Sequence, residues 1–237
     1  MSFPREYWYH SCSIGLLIFL IVFFGFVSLG SPLVKVVPLE YNFGVVQPGT
    51  QINKTFLISN TGDRTLKIDR IWVGCSCTVA NLKAREISPG GSTEIQLGFD
   101  SRGYRGKVTK SATIYTNDPD RPRVELKLIG EVRQPNSREI MPSELRKRLV
   151  YVIDLRSEQE YSSSHIFGAV NMPLPELEKW IDRLPKGVTF VLYGNTERQM
   201  EKALTLMERE GFQGVKKLFG GLRAWMREFG EDLVVEK

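Results

Sequence analysis

Two stretches of this 237-residue chain hold the residue types or backbone setting that chemistry needs. In "VGCSCTVA", Cys75 and Cys77 stand two residues apart. Two thiols at that spacing can bind a soft metal, close a strained disulfide or shuttle electrons. Alternate positions of a regular strand share a face, so both sulfurs can lie together. A zinc or copper site needs more ligands than two. The only histidines are His10 and His165, and no methionine cluster accompanies the pair, so no metal site is assigned. Structural thiols, buried or locally bridged, and a redox or sulfur-handling pair remain as readings. The second stretch is "FVLYGNTERQ", residues 190–199, which reads as a buried strand running into a polar turn and then a helix. Its turn comprises Gly194, Asn195, Thr196, Glu197, Arg198 and Gln199, and no cysteine occurs anywhere in residues 78–237.

The elements that position these residues follow from composition and periodicity. Apolar content of 42% and charged content of 25% are those of a folded chain, long enough for two domains. Residues 31–135 carry 15 Lys and Arg against 10 Asp and Glu, whereas residues 136–237 balance at 16 each. That excess is compatible with an anionic membrane surface and too dispersed for nucleic acid. No charge occurs between Tyr7 and Val34, and "IGLLIFLIVFFGFVSLG", Ile14 to Gly30, is almost wholly apolar. Seventeen residues is the lower limit for a bilayer-spanning helix, and Tyr7, Trp8 and Tyr9 sit where an interfacial aromatic belt would lie. Residues 1–34 are therefore expected to form a tail and a transmembrane anchor. A cleaved signal peptide is the competitor, because Ser28 and Gly30 are small residues at cleavage spacing. Either reading exports the rest of the chain, and the anchor gives a single-pass protein of the cytoplasmic membrane with its domains outside.

Residues 35–132 read as short strands broken by turns. "TQINKTFLISNTG" alternates and ends in Asn60-Thr61-Gly62; "TLKIDRIWVG", "STEIQLGFD", "KSATIYTNDPD" and "RVELKLIGEV" follow. This spacing predicts an all-β sandwich. The segments "FGVVQPGT", "ISNTGDRTLKI", "VGCSCTVA" and "ISPGGSTEIQLGFDSRGYRGKVTKSATIYTNDPDRP" resemble the DUF1573 family. That resemblance implies an immunoglobulin-like sandwich in an extracytoplasmic setting and lends no biochemical activity.

"RQPNSREIMPS", residues 133–143, is polar with two prolines and reads as a linker. Beyond it, "SELRKRL", "LPELEKWIDRL", "TERQMEKALTLMEREG" and "GLRAWMREFG" read as helices alternating with the strands "VYVIDL", "TFVLY" and "VKKLF". Apolar strands between helices predict an α/β domain with a parallel sheet over residues 138–237. "VIDLRSEQEYSSSHIFGAVNMPL" and "GFQGVKKLFGGLRAW" resemble the opening and closing blocks of the rhodanese-like domain.

In active rhodanese-like domains the strand corresponding to "TFVLY" leads to a cysteine that opens a six-residue loop closed by a basic residue. Loop N–H groups and a helix N-terminus stabilise its thiolate and persulfide. Counting back from Gly211-Phe212 places Gly194 in the cysteine position and Gln199 in the basic one, with Arg198 one residue early. Glycine has no side chain to attack thiosulfate or carry sulfane sulfur. The resemblance thus implies an inactive module with no cofactor, its loop cradling a small anion or its surface docking a protein partner in the envelope. Asp154 and Arg156 would flank the pocket, and His165 would make a structural hydrogen bond. The alternative is a sulfur-transfer or thiol-redox protein in which Cys75 or Cys77 supplies the missing thiol, which requires approach to within about 3–4 Å of the Gly194 loop.

Overall fold

The computed structural model describes residues 30–76, 78–230 and 234–236. The expected membrane segment up to residue 29, with His10, Cys12 and Cys77, lies outside the described residues. Among those described, no helix is long and apolar enough to cross a membrane.

The first domain holds β1 (Val34–Val36), β2 (Glu40–Val46), β3 (Gln51–Asn60), β4 (Leu66–Val73), β5 (Thr78–Leu82), β6 (Glu86–Ile87), β7 (Ser92–Asp100), β8 (Gly106–Thr116) and β9 (Arg123–Val132). They form one sheet ordered β1-β3-β7-β5 and another ordered β2-β9-β8-β4-β6. Period-2 alternation sends Ile52, Phe56 and Ile58 of β3 inward, to meet Ala112, Ile114, Leu126 and Leu128 of the other sheet in one core. Each large side chain so buried contributes roughly 1.5–3 kcal/mol. The turn residues are part of this packing. Asn60 is buried, and its amide accepts from the N–H groups of Leu33 and Gly62 while donating to the carbonyls of Arg64 and Ile87. Asp118 does the same for the N–H groups of Val34, Asp120 and Arg121.

The second domain holds β10 (Glu139–Ile140), α1 (Pro142–Leu145), β11 (Tyr151–Asp154), α2 (Glu158–Ser163), β12 (Ser164–Ile166), β13 (Val170–Asn171), α3 (Leu174–Trp180), β14 (Thr189–Tyr193), α4 (Glu197–Arg209), β15 (Gly214–Leu218), α5 (Gly221–Phe229) and β16 (Val234–Glu236). A parallel sheet runs β10-β15-β14-β11-β13, and β12 pairs with β16. The central strand β14 is buried on both faces. Phe190 and Leu192 pack with α3 and α4, whereas Val191 and Tyr193 pack with α1 and α5. That double burial is why the strand reads as continuously apolar. The expected helix at "SELRKRL" stops after Leu145, its one buried residue beside Pro142, because the basic run beyond offers no apolar face to pack.

The stretch read as a linker is held at both ends. Within it, Glu139 and Ile140 join the sheet beside β15. Glu139 accepts two hydrogen bonds from the Arg133 guanidinium, 2.7 Å each, and one from the N–H of Asn136 at 2.9 Å. The two domains also touch directly. Arg227 and Arg223 of α5 donate to the carbonyls of Phe43 and Asn42 on β2. A bulge at Gly44, whose φ is +74°, bends β2 there. Gly220 approaches the Val45 carbonyl so closely that a Cβ would stand 2.8 Å from it.

Burial opposes ionisation of Glu139, but the Arg133 hydrogen bonds, the Asn136 N–H and the Arg133 charge outweigh it and hold the carboxyl below its ordinary value. A depressed folded pKa contributes stability that is present above the unfolded value of 4.5 and lost as pH falls through the folded value. Glu139→Gln should cost about 2 kcal/mol at pH 7, less than the roughly 3–5 kcal/mol of a fully buried pair because the Arg133 side chain keeps 26% exposure. The variant should also lose part of the wild-type decline in urea midpoint below pH 4.5. An unchanged midpoint at pH 7 would refute this role.

Candidate functional site

The loop from Gly194 to Gln199 leaves the C-terminal end of β14 and enters α4. Thr196 is the N-cap of that helix, and its hydroxyl accepts from the N–H of Gln199 at 3.2 Å. The Gln199 side chain turns back over Gly194. Its Nε2 donates to the Leu155 carbonyl and its Oε1 accepts from the N–H of Asn195 at 3.2 Å. A Cβ on Gly194 would stand 2.7 Å from that Oε1. The Gly194 backbone is not in the left-handed region, so its conformation alone does not demand glycine. The overlying amide is what leaves no room.

Two N–H groups of the loop expected to cradle an anion are already paired within the chain. The N–H groups of Asn195 and Gln199 are taken by the Gln199 and Thr196 side chains. Arg198, one residue early for the basic position, lines the exposed grooves along α4. Among the described residues it does not line the cavity over Gly194.

That cavity is about 330 Å³. Gly194, Asn195 and Glu197 form one wall, the start of α5 from Gly220 to Arg223 another, and Gly44, Val45 and Arg133 come from the first domain or its edge. Beneath it Asp154, fully buried, accepts from the N–H, Nε and Nη2 of Arg156, and Arg156 also donates to the Ser164 carbonyl. Burial disfavours the Arg156 cation, but Asp154 more than compensates and its pKa rises. The Tyr193 phenol is pushed well above its ordinary value by burial and by Asp154, so its hydroxyl stays neutral; it accepts from the N–H of Ile166. His165 stacks on Tyr161 at 3.8 Å and its Nδ1 bonds the Tyr161 carbonyl, a structural position.

Four contributors were not singled out from sequence: Arg133, Arg223, Lys217 and the Gly44–Val45 edge. Lys217 is 1% exposed and its ammonium lies between the carboxylates of Glu197 and Glu201. Burial acts to lower its pKa, but the two carboxylates reverse that and raise it. The lysine thus fixes the first turn of α4 to β15. Only the paired Glu197 and Glu201, four apart on a helix, could have signalled a shared cation.

Cys75 is disulfide-bonded, which is also the oxidised state of a thiol-redox pair. Its Sγ accepts from the Thr78 hydroxyl at 3.5 Å, since a disulfide sulfur has no proton to donate. Among the described residues it forms no part of the cavity over Gly194.

Two family models match this chain: residues 34–132 that of DUF1573, a protein of unknown function, and residues 141–228 that of the rhodanese-like domain. The chain thus carries a DUF1573 domain followed by a rhodanese-like domain. It is 32% identical over 74 residues to a putative sulfur carrier protein of Bacillus subtilis, YrkF, covering 31% of this chain and 40% of that one. It is 33% identical over 103 residues to a probable adenylyltransferase/sulfurtransferase of Mycobacterium tuberculosis, MoeZ, covering 40% and 26%. The chain therefore spans less than half the length of either relative. The rhodanese-like domain of an Anabaena protein, Alr3790, solved in solution, is 28% identical with a TM-score of 0.39 over 43% of this chain and 81% of that one.

Restoring the thiol alone should not restore its chemistry. Gly194→Cys, with the other three cysteines changed to serine, should give a thiol titrating near the free value of about 8.5. Gly194→Cys/Gln199→Ala should titrate lower, because it returns the Asn195 N–H to the sulfur. The pH dependence of alkylation measures both. Equal values would mean that Gln199 does not close the loop.

Proposed function

We propose that the rhodanese-like domain of this chain is a binding module that does not transfer sulfur. The observation that carries this reading is Gly194 beneath the Gln199 amide. Gly194 offers no nucleophile at the strand end where the active domains have one, and the space a sulfur would need is filled by a neutral, hydrogen-bonded side chain. The putative sulfur carrier and the probable sulfurtransferase are what this domain is similar to, and a shared fold does not transfer their chemistry. With two loop N–H groups already paired, a protein partner in the envelope is favoured over a small anion as the ligand. The two sheets and single core of the first domain suit an immunoglobulin-like sandwich, joined to the α/β domain through α5 and β2. The apolar run from Ile14 to Gly30 supports anchoring in the cytoplasmic membrane with both domains outside. The disulfide at Cys75 accords with that oxidising side.

The purified chain should show no thiosulfate:cyanide sulfurtransferase turnover above a protein-free control. Turnover that disappears in Cys75→Ser or Cys77→Ser would overturn the assignment. For topology, a membrane-impermeant thiol reagent applied to intact spheroplasts after mild reduction should label Cys75 and Cys77. Labelling that needs lysis would place the domains inside.

A further inference from the structure

The outer face of the β1-β3-β7-β5 sheet has a groove that the rhodanese-like domain does not involve. Two adjoining cavities of about 550 and 360 Å³ lie along it and share Asn81 and Gln96. In the middle stands Gly98, inside the nine-residue strand β7 and directly opposite Asn53 on β3 and Val79 on β5. The β3–β7 register runs unbroken from Gln51 and Asp100 to Ser59 and Ser92, so Gly98 marks no bulge there. Its backbone is not left-handed either. Glycine inside a regular strand weakens it and often marks the close approach of another group, here including the Asn53 side chain opposite. Part of the notch takes the Asn53 side chain, whose Oδ1 would stand 3.0 Å from a Cβ on Gly98.

The chemistry around the notch is uniform. Asn53, Asn81 and Gln96 present side-chain amides, exposed and without a hydrogen-bond partner among the described residues. Both ends of the groove carry charges that neutralise each other: Asp100 with Arg102 at 2.5 Å, and Glu94 with Lys83 at 2.6 Å. The face between them has no net charge, which favours a neutral ligand. Because β7 is hydrogen-bonded to strands on both sides, its backbone offers nothing to an incoming peptide strand. Recognition here must come from side-chain amides, each both donor and acceptor. A ligand bearing acetamido and hydroxyl groups answers that pattern, with Val79, 54% exposed, available to the acetyl methyl. Asp100 to Glu94 is seven residues of strand, six steps or about 20 Å, long enough for a short oligosaccharide.

We propose that this groove binds a neutral glycan chain of N-acetylated amino sugars, seated over Gly98 and held by the amides of Asn53, Asn81 and Gln96. The site is independent of the reading of the Gly194 loop. The test is isothermal titration of the full chain with the N-acetylglucosamine tetramer, the glucose tetramer and a neutral hexapeptide of glutamine and serine. The N-acetylated tetramer should bind saturably and at least about fivefold more tightly than the other two, an acetamido contact supplying the difference. Asn53→Ala/Gln96→Ala, both exposed positions, should weaken it at least about fivefold. Gly98→Leu should abolish it by filling the notch, with circular dichroism confirming that this variant is folded. Three outcomes overturn the proposal: no saturable binding of the N-acetylated tetramer, equal or tighter binding of the glucose tetramer or the peptide, or full affinity in the Asn53→Ala/Gln96→Ala variant.

Discussion

Where the parallel strands of the α/β domain end, their last backbone groups are buried and each needs a partner. At the ends of β11 and β14 that requirement governs nearly every side chain nearby. The Leu155 N–H donates to the Tyr193 carbonyl, and the Leu155 carbonyl takes the Gln199 amide. The Asp154 carbonyl accepts from the Met172 N–H and the Asn171 amide, which also reaches the Arg156 carbonyl. Arg156, tied to Asp154, closes the set by donating to Ser164. The loop over Gly194 thus forms part of a network in which most of the available donors and acceptors near the strand ends are already paired.

This saturation explains how the loop is held with a glycine at its first position. Gln199 fills the space and pairs the Asn195 N–H, while Thr196 caps the Gln199 N–H in the first turn of the helix. Lys217 performs the complementary task on the far side, neutralising Glu197 and Glu201 where they meet β15. A buried ammonium between two partly exposed carboxylates costs desolvation, offset here by a charged hydrogen bond to each. Arg138 extends the same chain of charges to Glu201 and Glu208.

The two domains are joined by contacts of the same kind. Arg133 and Glu139 form a bidentate pair across the polar segment between them, and Arg223 and Arg227 cap carbonyls at the Gly44 bulge of β2. Burial lowers the Arg227 pKa, as expected for a guanidinium whose hydrogen-bonded acceptors are uncharged carbonyls. Through these contacts the first domain supplies Gly44 and Val45 to the cavity over the loop. A site that reads as local to residues 194–199 is in fact walled by residues some 150 positions earlier in the chain.

Periodicity and turn residues alone determined most elements. Phe190 to Tyr193 are apolar at every position because both faces are covered, and β3 alternates because only one is. Asn60 and Asp118 announced turns because their short side chains bond nearby backbone. The absence of a thiol in residues 78–237 was equally plain from sequence. Tertiary structure decided the direction of Gln199, the burial of Lys217 and the wall formed by β2. Each depends on which groups meet across long separations, and a local pattern carries no record of that. Sequence spacing placed Gln199 where a basic residue was expected; only the distance from its amide to Leu155 and Asn195 revealed that it closes the loop.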